Sequence, residues 1–450
     1  MITSAIRLFI LFALVGGFSL AAPVLADKSE GGRTLHRSSD FGWEANQDVT
    51  EAFTKLLTDG MLKAGEELVL DHTYRINIQS RKARRLPANF TLSAVKGAGF
   101  DVYGFESKGN PRNPVLELGE RNTLRNLTIT CVDTPPLGPT GEKKGVTFFN
   151  GVGISAREKD DILIENCRVT GSIGHTVRLT NCRRPKFFGC HIAGGHWSLR
   201  LVGVTDAILW RCLIEKCQGD AIKSGPGKQN ARGFLVESCV FQDNLRDGID
   251  TTGGFSDSIV RNSIFRRLKR SGMDIKSPCG PDRAPYANRN IRVENCLFHD
   301  MPNAVVLTTN DIMRRRKQGD FLTPENIKKY APHDIDIVDC VVGHAEKPLK
   351  PSHEGGYGVN YPKEAEHMRL VHLKDAYDVR YRNIRLSGER IVPYVISSAA
   401  DSKYGRRFLS PEAARSFEHT ITGNVLPDPA PPIEPGVTDV PFACGPQDME

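Results

Sequence analysis

A repeated apolar pattern constrains the fold of this chain more than any other feature. Seven positions, here called the marked positions, each have an apolar residue three places before them and another two places after them. The first five marked positions are 22 to 27 residues apart, and the last two intervals are longer. A short period with occasional insertions is typical of a solenoid. The marked positions are Cys167, Cys190, Cys212, Cys239, Ser263, Cys296 and Cys340.

The repeat unit is rich in short β-prone runs and shows no helical period, which argues against leucine-rich and ankyrin repeats. We predict an all-β, right-handed parallel β-helix in which each coil has three short strands and like residues stack ~4.8 Å apart. The marked cysteines then form an internal ladder of reduced thiols, because free Cys packs as a small hydrophobe. Cys279 and Cys444 lie outside the ladder, and the sequence leaves their pairing open.

The N-terminus reads as a targeting segment. Arg7, the apolar run from Leu8 to Leu20 and the small residues ending at Ala26 predict a signal peptide over residues 1–26. We therefore expect an exported, secreted or periplasmic protein with no membrane span in the mature chain. Because the net charge is only +7, the composition does not indicate a nucleic-acid partner. We also expect a monomer.

An N-terminal cap is predicted ahead of the coils. Asp40-Phe41-Gly42 precedes a helix whose apolar face includes Phe53 and Leu56, and a strand follows. This stretch resembles the N-terminal cap of the pectin-lyase-like superfamily, and the resemblance extends to about residue 345. A cap of this kind covers the edge of the first coil. The predicted organisation is a signal peptide at 1–26, a cap region at 27–85, β-helix coils with a groove at 86–345, C-terminal coils and loops at 346–425, and a Pro-rich tail at 426–450.

One strand of each coil carries an alternating pattern that predicts an inward and an outward column. The inward column is Val177, Leu199, Ile222, Ile249, Met273 and Val305. The outward column is Arg178, Arg200, Lys223, Asp250, Asp274 and Val306. A pairing of Lys223 with Asp250 could be a simple surface salt bridge worth roughly 0–1 kcal/mol. However, stacking Asp250 on Asp274 destabilises a sheet, so we interpret the column as functional.

A short motif in these strands is similar to the calcium-dependent, family-nine type of β-helix pectate lyase. The segment Asp247-Gly-Ile-Asp250 is followed one coil later by Gly272-Met-Asp-Ile-Lys276. The resemblance implies that Asp220, Asp247 and Asp250 bind Ca²⁺, a hard cation that prefers carboxylate oxygens. Arg246 stands where the family has its first Asp, so the implied site has one ligand fewer.

The resemblance also implies a lysine base that removes the proton α to a uronate carboxylate. When the strands are aligned by their inward and outward alternation, the family's catalytic lysine aligns with Asp274. Lys276 and Lys223 are therefore the candidate lysines. We favour Lys276 because it follows the aspartate motif in the family's order. We expect its side chain to be exposed and to contribute little to stability.

The remaining groove residues are candidate substrate contacts. Arg178 and Arg200 suit the carboxylates of an acidic polysaccharide, which is the predicted partner. His175 and His196 lie at turns before outward strands, and Trp197 is a candidate platform for a sugar ring. The predicted activity is β-elimination on an acidic, uronic-acid-containing polysaccharide.

Two other functions fit the same residues. A polygalacturonase-like glycoside hydrolase would use paired carboxylates, here Asp247, Asp250 and Asp274, to protonate the leaving oxygen and activate water. A non-catalytic carbohydrate-binding β-helix would need neither, and the fold alone does not decide between the three.

Overall fold

The chain winds so that successive strands enter three parallel sheets in turn. This arrangement is a parallel β-helix, and the right-handed form follows the usual hand of parallel crossovers. The predicted fold class is therefore confirmed. The computed structural model describes residues 33–80, 83–104, 114–132, 151–172, 174–276, 287–308, 331–343, 368–374, 377–387, 391–397, 419–421 and 426–427. The predicted signal peptide and most of the chain after 343 lie outside these residues.

The three sheets contain thirteen, twelve and ten strands. The first sheet consists of Leu35–Arg37, Glu67–Leu70, Thr91–Ala94, Thr123–Arg125, Leu163–Glu165, Lys186–Phe188, Ile208–Trp210, Leu235–Glu237, Ser258–Arg261, Arg289–Glu294, His333–Val338, Tyr377–Arg382 and His419–Ile421. The second sheet consists of Thr73–Asn77, Gly99–Tyr103, Thr128–Cys131, Arg168–Ser172, His191–Gly194, Leu213–Glu215, Val240–Gln242, Ile264–Arg266, Leu297–His299, Val341–Gly343, Arg385–Ser387 and Leu426–Pro427. The third sheet consists of Leu116–Glu117, Val152–Arg157, His175–Thr180, Trp197–Val202, Ile222–Gly225, Ile249–Thr252, Ser271–Lys276, Asn303–Thr308, Met368–Lys374 and Ile391–Ser397.

The corner between the first and second sheets has the same two-residue form along the solenoid. In one coil the strand ends at Glu165 and the next begins at Arg168. The first corner residue is left-handed, with φ between 50° and 59°, a conformation that favours Asn, Asp and Gly. This corner fixes the register from coil to coil. Its left-handed residues are Asn126, Asn166, Gly189, Arg211, Ser238, Asn262, Asn295, Asp339 and Asn383.

The second corner residue is the ladder position, and it points into the core. All six ladder cysteines are at most 2% exposed and unbridged, which confirms the predicted packing thiols. Each thiol lies near a backbone carbonyl of the preceding coil; Cys190 Sγ, for example, donates to Ile164 O at 3.2 Å. Burial raises the pKa of Cys167 to about 12, so this thiol stays protonated and inert. Cys279 and Cys444 lie outside the described residues.

The N-terminal helix spans Thr50–Thr58 and closes the first coil, as predicted. Its Phe53 is fully buried and packs on Trp43 and Phe100 with ring centroids 5.9 and 5.6 Å apart. Asp48 accepts a hydrogen bond from the Thr50 backbone N–H at 2.9 Å and so begins the helix. A 3₁₀ turn, Ser38–Phe41, precedes it. Within the described ranges, none of the helical segments has the length and apolarity that a membrane crossing requires.

Candidate functional site

The strand register of the third sheet confirms the predicted outward column. Arg178 pairs with Arg200, Arg200 with Lys223, Lys223 with Asp250, and Asp250 with Asp274. The alternate residues of the same strands, from Val177 to Val305, are completely buried in the core. The charged column therefore lies on the outer face of the third sheet, which we call the groove face.

Four carboxylates on this face form one group, the aspartate cluster: Asp220, Asp247, Asp250 and Asp274. All four are at most 2% exposed, although Asp250 and Asp274 point away from the core and Asp220 and Asp247 lie at the turns before their strands. Outward direction does not mean exposure here, because long cationic side chains from the same and neighbouring coils cover the cluster. Four cations contact it, so the charges balance. They are Lys223, Arg246, Arg270 and Lys276.

The two lysines meet at one carboxylate. Lys223 Nζ donates to Asp250 Oδ2 at 2.5 Å, and Lys276 Nζ donates to Asp250 Oδ1 at 2.8 Å. Lys276 also lies 3.0 Å from Asp274 Oδ2, and only 12% of its side chain is exposed. The expectation of an exposed Lys276 is wrong, because two carboxylates draw its ammonium group down to the floor of the groove.

The two arginines form a roof over the other carboxylates. Arg246 Nε lies 3.5 Å from Asp220 Oδ1, and Arg270 Nη1 lies 3.2 Å from Asp247 Oδ2. Arg270 also pairs with Asp274. The sequence motif indicates Arg246 only as the replacement of a metal ligand, and it does not indicate Arg270. Arg246 stands one residue before Asp247 and Arg270 one residue before Ser271, so the two arginines hold equivalent positions in successive coils. His196 holds the same position two coils before Arg246. An alignment of this position across the coils would have revealed both arginines.

Three members of the cluster are close enough to hold a metal ion. One ligand oxygen from each of Asp220, Asp247 and Asp250 lies within 4.8 Å of the others. Both oxygens of Asp220 and Asp247 are buried, and among the described residues they have no well-aligned hydrogen-bond donor. Such oxygens fit a hard cation. The arginine roof and Lys223 compete for the same oxygens, so the protein supplies its own positive charges at this place.

The environment moves the carboxyl pKa values apart. Burial raises the pKa of Asp247 well above its usual range; Arg270 opposes this, while the neighbouring aspartates add to it. Burial would also raise the pKa of Asp250, but Lys223 and Lys276 outweigh it and hold that pKa well below the usual range. Burial lowers the pKa of Lys276, yet Asp250 and Asp274 raise it by more, so this amine is held in its charged form.

The other end of the groove face is built from an arginine and aromatic rings. The rings of His175 and Trp197 stack with centroids 5.2 Å apart, and the Arg200 guanidinium lies 4.3 Å over the Trp197 ring. His196 tilts against the same indole at 4.6 Å. Trp197 is thus a support for Arg200 by a cation–π contact. Burial and nearby cations lower the pKa of His175 to about 3 and that of His196 to about 4, so both are neutral at pH 7.

The structure thus brings the predicted metal and catalytic residues into one cluster. Asp220, Asp247, Asp250, Asp274, Lys223 and Lys276 are in mutual contact or near contact. Arg178 lies outside that cluster, on the far side of Arg200 in the column.

Comparison with known proteins supports the fold. A family described as the right handed beta helix region matches residues 119–314. Among curated proteins, no sequence matches this chain. Three similar solved structures share only 11–12% of their residues with it, so each shows a shared fold and nothing finer.

The first of these structures is the surface protein and adhesin PfbA of Streptococcus pneumoniae, with a TM-score of 0.56, 11% identity, and coverage of 81% of this chain and 96% of that one. The second is the Dettilon tailspike protein, with a TM-score of 0.54, 12% identity, and coverage of 87% and 74%. The third is the A-module of the Azotobacter vinelandii mannuronan C-5 epimerase AlgE6, with a TM-score of 0.50, 11% identity, and coverage of 81% and 98%. The chain has the right-handed parallel β-helix fold, and the three similar structures are those of an adhesin, a tailspike and an epimerase.

Proposed function

We propose that this protein is an exported enzyme that cleaves an acidic, uronic-acid-containing polysaccharide by β-elimination on the groove face. One observation carries the proposal: cations form the accessible layer of the site, and the carboxylates lie beneath them. Lys223, Arg246, Arg270 and Lys276 keep 11–19% of their side chains exposed, whereas the four aspartates keep 0–2%. A ligand that enters the groove therefore meets positive charge first, which suits a polyanion.

A cationic layer is also what elimination needs. Removal of the proton α to a carboxylate places negative charge on the carboxylate oxygens, and fixed cations aimed at those oxygens stabilise it. Hydrolysis instead needs a carboxylic acid within reach of the glycosidic oxygen. The arginine roof keeps Asp247 and Asp274 from that position.

Lys223 is the better candidate for the base. Both lysines are ion-paired: Lys276 lies 2.8 Å from Asp250 and 3.0 Å from Asp274, and Lys223 lies 2.5 Å from Asp250 but 3.9 Å from its second carboxylate, Asp220. Because a charged amine cannot accept a proton, we prefer the lysine that has one close carboxylate and stands next to Arg200 in the column, which is Lys223.

In this arrangement Arg200 and Arg246 bind the uronate carboxylate and the Lys223 amine takes the α proton. The electron pair left behind forms a C=C bond as the glycosidic C–O bond breaks, and solvent water protonates the leaving oxygen. Lys276 keeps Asp250 in place.

The proposed calcium site is limited to three of the aspartates. Asp220, Asp247 and Asp250 would hold the ion, which when bound would neutralise a substrate carboxylate. Because Lys223 and Arg246 already balance these carboxylates, we propose weak binding that the substrate carboxylate completes.

One observation favours a second function, glycoside hydrolysis. The pKa of Asp247 is raised and that of Asp250 is lowered, and a carboxyl pair shifted apart in this way suits one acid and one ionised partner. This function requires Arg246 and Arg270 to swing away from the cluster when a substrate binds.

The test is a panel of uronic-acid polymers, each incubated with the mature protein with and without a chelator. Product is followed by the ultraviolet absorbance of the unsaturated sugar and by new reducing ends. Unsaturated product supports elimination, and reducing ends without unsaturation support hydrolysis. Binding without either product would make the protein a carbohydrate-binding module and overturn the enzyme proposal.

Single variants then assign the base. Lys223→Met should abolish the unsaturated product while uronan binding remains, and Lys276→Met should keep measurable activity. Lys216→Met is the matched control, because Lys216 is exposed and pairs only at the surface, 3.3 Å from Glu215. An inactive Lys276→Met beside a fully active Lys223→Met would reverse the assignment.

A further inference from the structure

The first sheet carries an exposed aromatic pair on a different face of the solenoid from the groove. Phe188 and Trp210 are register partners in neighbouring strands, and their rings meet edge to face with centroids 6.0 Å apart. Trp210 is 39% exposed, whereas Leu209 beside it points inward and is completely buried. Half-buried Ile208 and Leu235 extend the apolar surface in the parallel column of the same sheet. We call these four outward side chains the first-sheet patch: Phe188, Ile208, Trp210 and Leu235.

The carboxylates that border the patch are already neutralised within the protein. Glu165 precedes the aromatic pair in its column and lies 3.0 Å from Arg125. Glu237 follows the pair in the same column and lies 3.0 Å from Arg261. An anion that approaches the patch therefore meets no uncompensated negative charge at either end of this column.

Two cations beside the patch are, by contrast, available to a ligand. Lys186 is the register partner of Ile208, and Arg211 follows Trp210 directly in the chain. Both are exposed, and neither forms an ion pair with a carboxylate in the described part of the chain. The Arg211 guanidinium lies 4.5 Å over the Trp210 ring, and this cation–π contact holds it beside the indole. The patch thus combines an aromatic surface with two unpaired positive charges.

The size and charge of the patch indicate the kind of ligand that it suits. The patch extends over three coils, ~10 Å along the solenoid axis, whereas a stable protein interface takes roughly 20–30 residues from each partner. A single polymer strand needs only such a narrow surface. The C–H faces of sugar rings pack on aromatic side chains, and carboxylates pair with arginine and lysine. An acidic polysaccharide offers both of these groups at once.

We propose that the first-sheet patch is a second, non-catalytic binding site for an acidic polysaccharide, separate from the groove. The inference rests on the proposed function for the class of its ligand. A sugar ring packs on Trp210, and uronate carboxylates pair with Arg211 and Lys186. Because the patch lies on the first sheet and the groove on the third, the two sites bind different segments of polysaccharide. A long polymer that engages both sites is therefore held more tightly than a short one.

The three tryptophans of the chain allow the two sites to be followed separately. Trp43 is buried near the N-terminal helix, Trp197 lies in the groove, and Trp210 lies in the patch. Trp197→Phe leaves Trp210 as the indole that reports on the patch, and Trp210→Phe leaves Trp197 as the indole that reports on the groove. Each variant is titrated with polygalacturonate, with mannuronan and with the neutral polymer dextran. The quenching of tryptophan fluorescence by acrylamide measures how far the polymer covers each indole.

We expect at least one of the two uronans to protect Trp210 from acrylamide in Trp197→Phe, with a saturable dose dependence, and dextran to have no effect. Adding Lys186→Met and Arg211→Met to that variant should weaken uronan binding ~10-fold, because each exposed ion pair contributes a factor of a few. The matched control adds Arg289→Met and Arg292→Met instead. It removes the same charge from the same sheet three coils away, and it should bind within ~2-fold of Trp197→Phe.

The outcomes separate this inference from the proposed function. If a uronan protects Trp197 in Trp210→Phe but does not protect Trp210 in Trp197→Phe, the second site is wrong and the proposed function stands. If dextran protects Trp210 as well as the uronans do, the assignment to an acidic ligand is wrong. If neither uronan protects either indole and neither is cleaved, both the second site and the function fall. Self-association of the wild type in sedimentation runs without polymer, abolished by Trp210→Ala, would instead make the patch an interface between copies of the chain.

Discussion

Two columns of like residues run along this solenoid, and they tolerate stacking in different ways. In the cysteine ladder, neutral thiols stack in the core, and Cys190 and Cys212 each donate to a carbonyl of the preceding coil. In the groove, Asp250 stacks directly on Asp274, and two lysines and two arginines contact that pair. The first column needs nothing beyond its own coils, whereas the second needs a set of long cations.

The difference shows where the sequence is constrained by more than packing. A neutral column is the simple solution for a β-helix, and the outward position one coil after Asp274 is the apolar Val306. Stacked carboxylates introduce repulsion that must be compensated at each coil. Among the described residues, stacked carboxylates with their cations occur in this stretch, and it is the stretch on which the proposed function rests.

The largest expected effect is the loss of an arginine from the roof. Arg270→Met removes the arginine partner of the buried Asp247 and leaves Asp274 with Lys276 alone, so we expect the free energy of unfolding to fall by about 3–5 kcal/mol. Chemical denaturation measures it. Arg261→Met is the control, because Arg261 pairs with Glu237 at the surface and its loss should change stability by less than about 1 kcal/mol. Equal effects of the two variants would remove the distinction between the columns.

The next effect concerns metal binding. Arg246→Met removes a positive charge 3.5 Å from Asp220, so we expect Ca²⁺ to bind about tenfold more tightly than to wild type. Calorimetry without polysaccharide measures the change. Tight binding that persists in Asp250→Ala would show that the ion binds somewhere other than the aspartate cluster.

A smaller effect is expected in the ladder. Cys212→Ser should lower the free energy of unfolding by only about 1 kcal/mol, because Ser263 already occupies an equivalent slot and donates to Arg261 O at 2.8 Å. The ladder thiols should also resist alkylation in the folded protein and react after denaturation without a reductant. Rapid labelling of the native ladder would contradict the inward register.

The last effect is a pH dependence from the aromatic end of the groove. His175 and His196 have pKa values lowered from 6.5 to about 3 and about 4. Between pH 6.5 and 4 the unfolded chain binds protons that the folded chain does not, so stability should fall as the pH falls through this window. His175→Asn should reduce the slope of unfolding free energy against pH. An unchanged slope would mean that His175 titrates normally.

The sequence was sufficient for the coil register. The apolar positions around Cys167 and its equivalents set the period, and the pairing of Lys223 with Asp250 and of Asp250 with Asp274 follows from it. Strand alternation is a local property, and for that reason it can be read from one coil at a time.

The burial of the charged column was not predictable in the same way. Alternation states which way Asp250 points but not what lies over it, and its cover comes from Arg246, Arg270 and the two lysines reaching across coils. The directions of long charged side chains are set by electrostatic interactions with residues on other coils. The expected exposure of Lys276 was wrong for this reason.

The constant two-residue corner makes the coil a removable unit of length. From Glu165 and Arg168 to Arg382 and Arg385, each first-sheet strand is followed after two residues by a second-sheet strand, whatever the length of the rest of the coil. A duplicated or deleted coil between Asn181 and Gly203 would leave every corner matched. It would add or remove one coil with its Arg200 position, and so lengthen or shorten the arginine end of the groove by ~4.8 Å. The length of the groove can therefore change, by evolution or by design, only in steps of one whole coil.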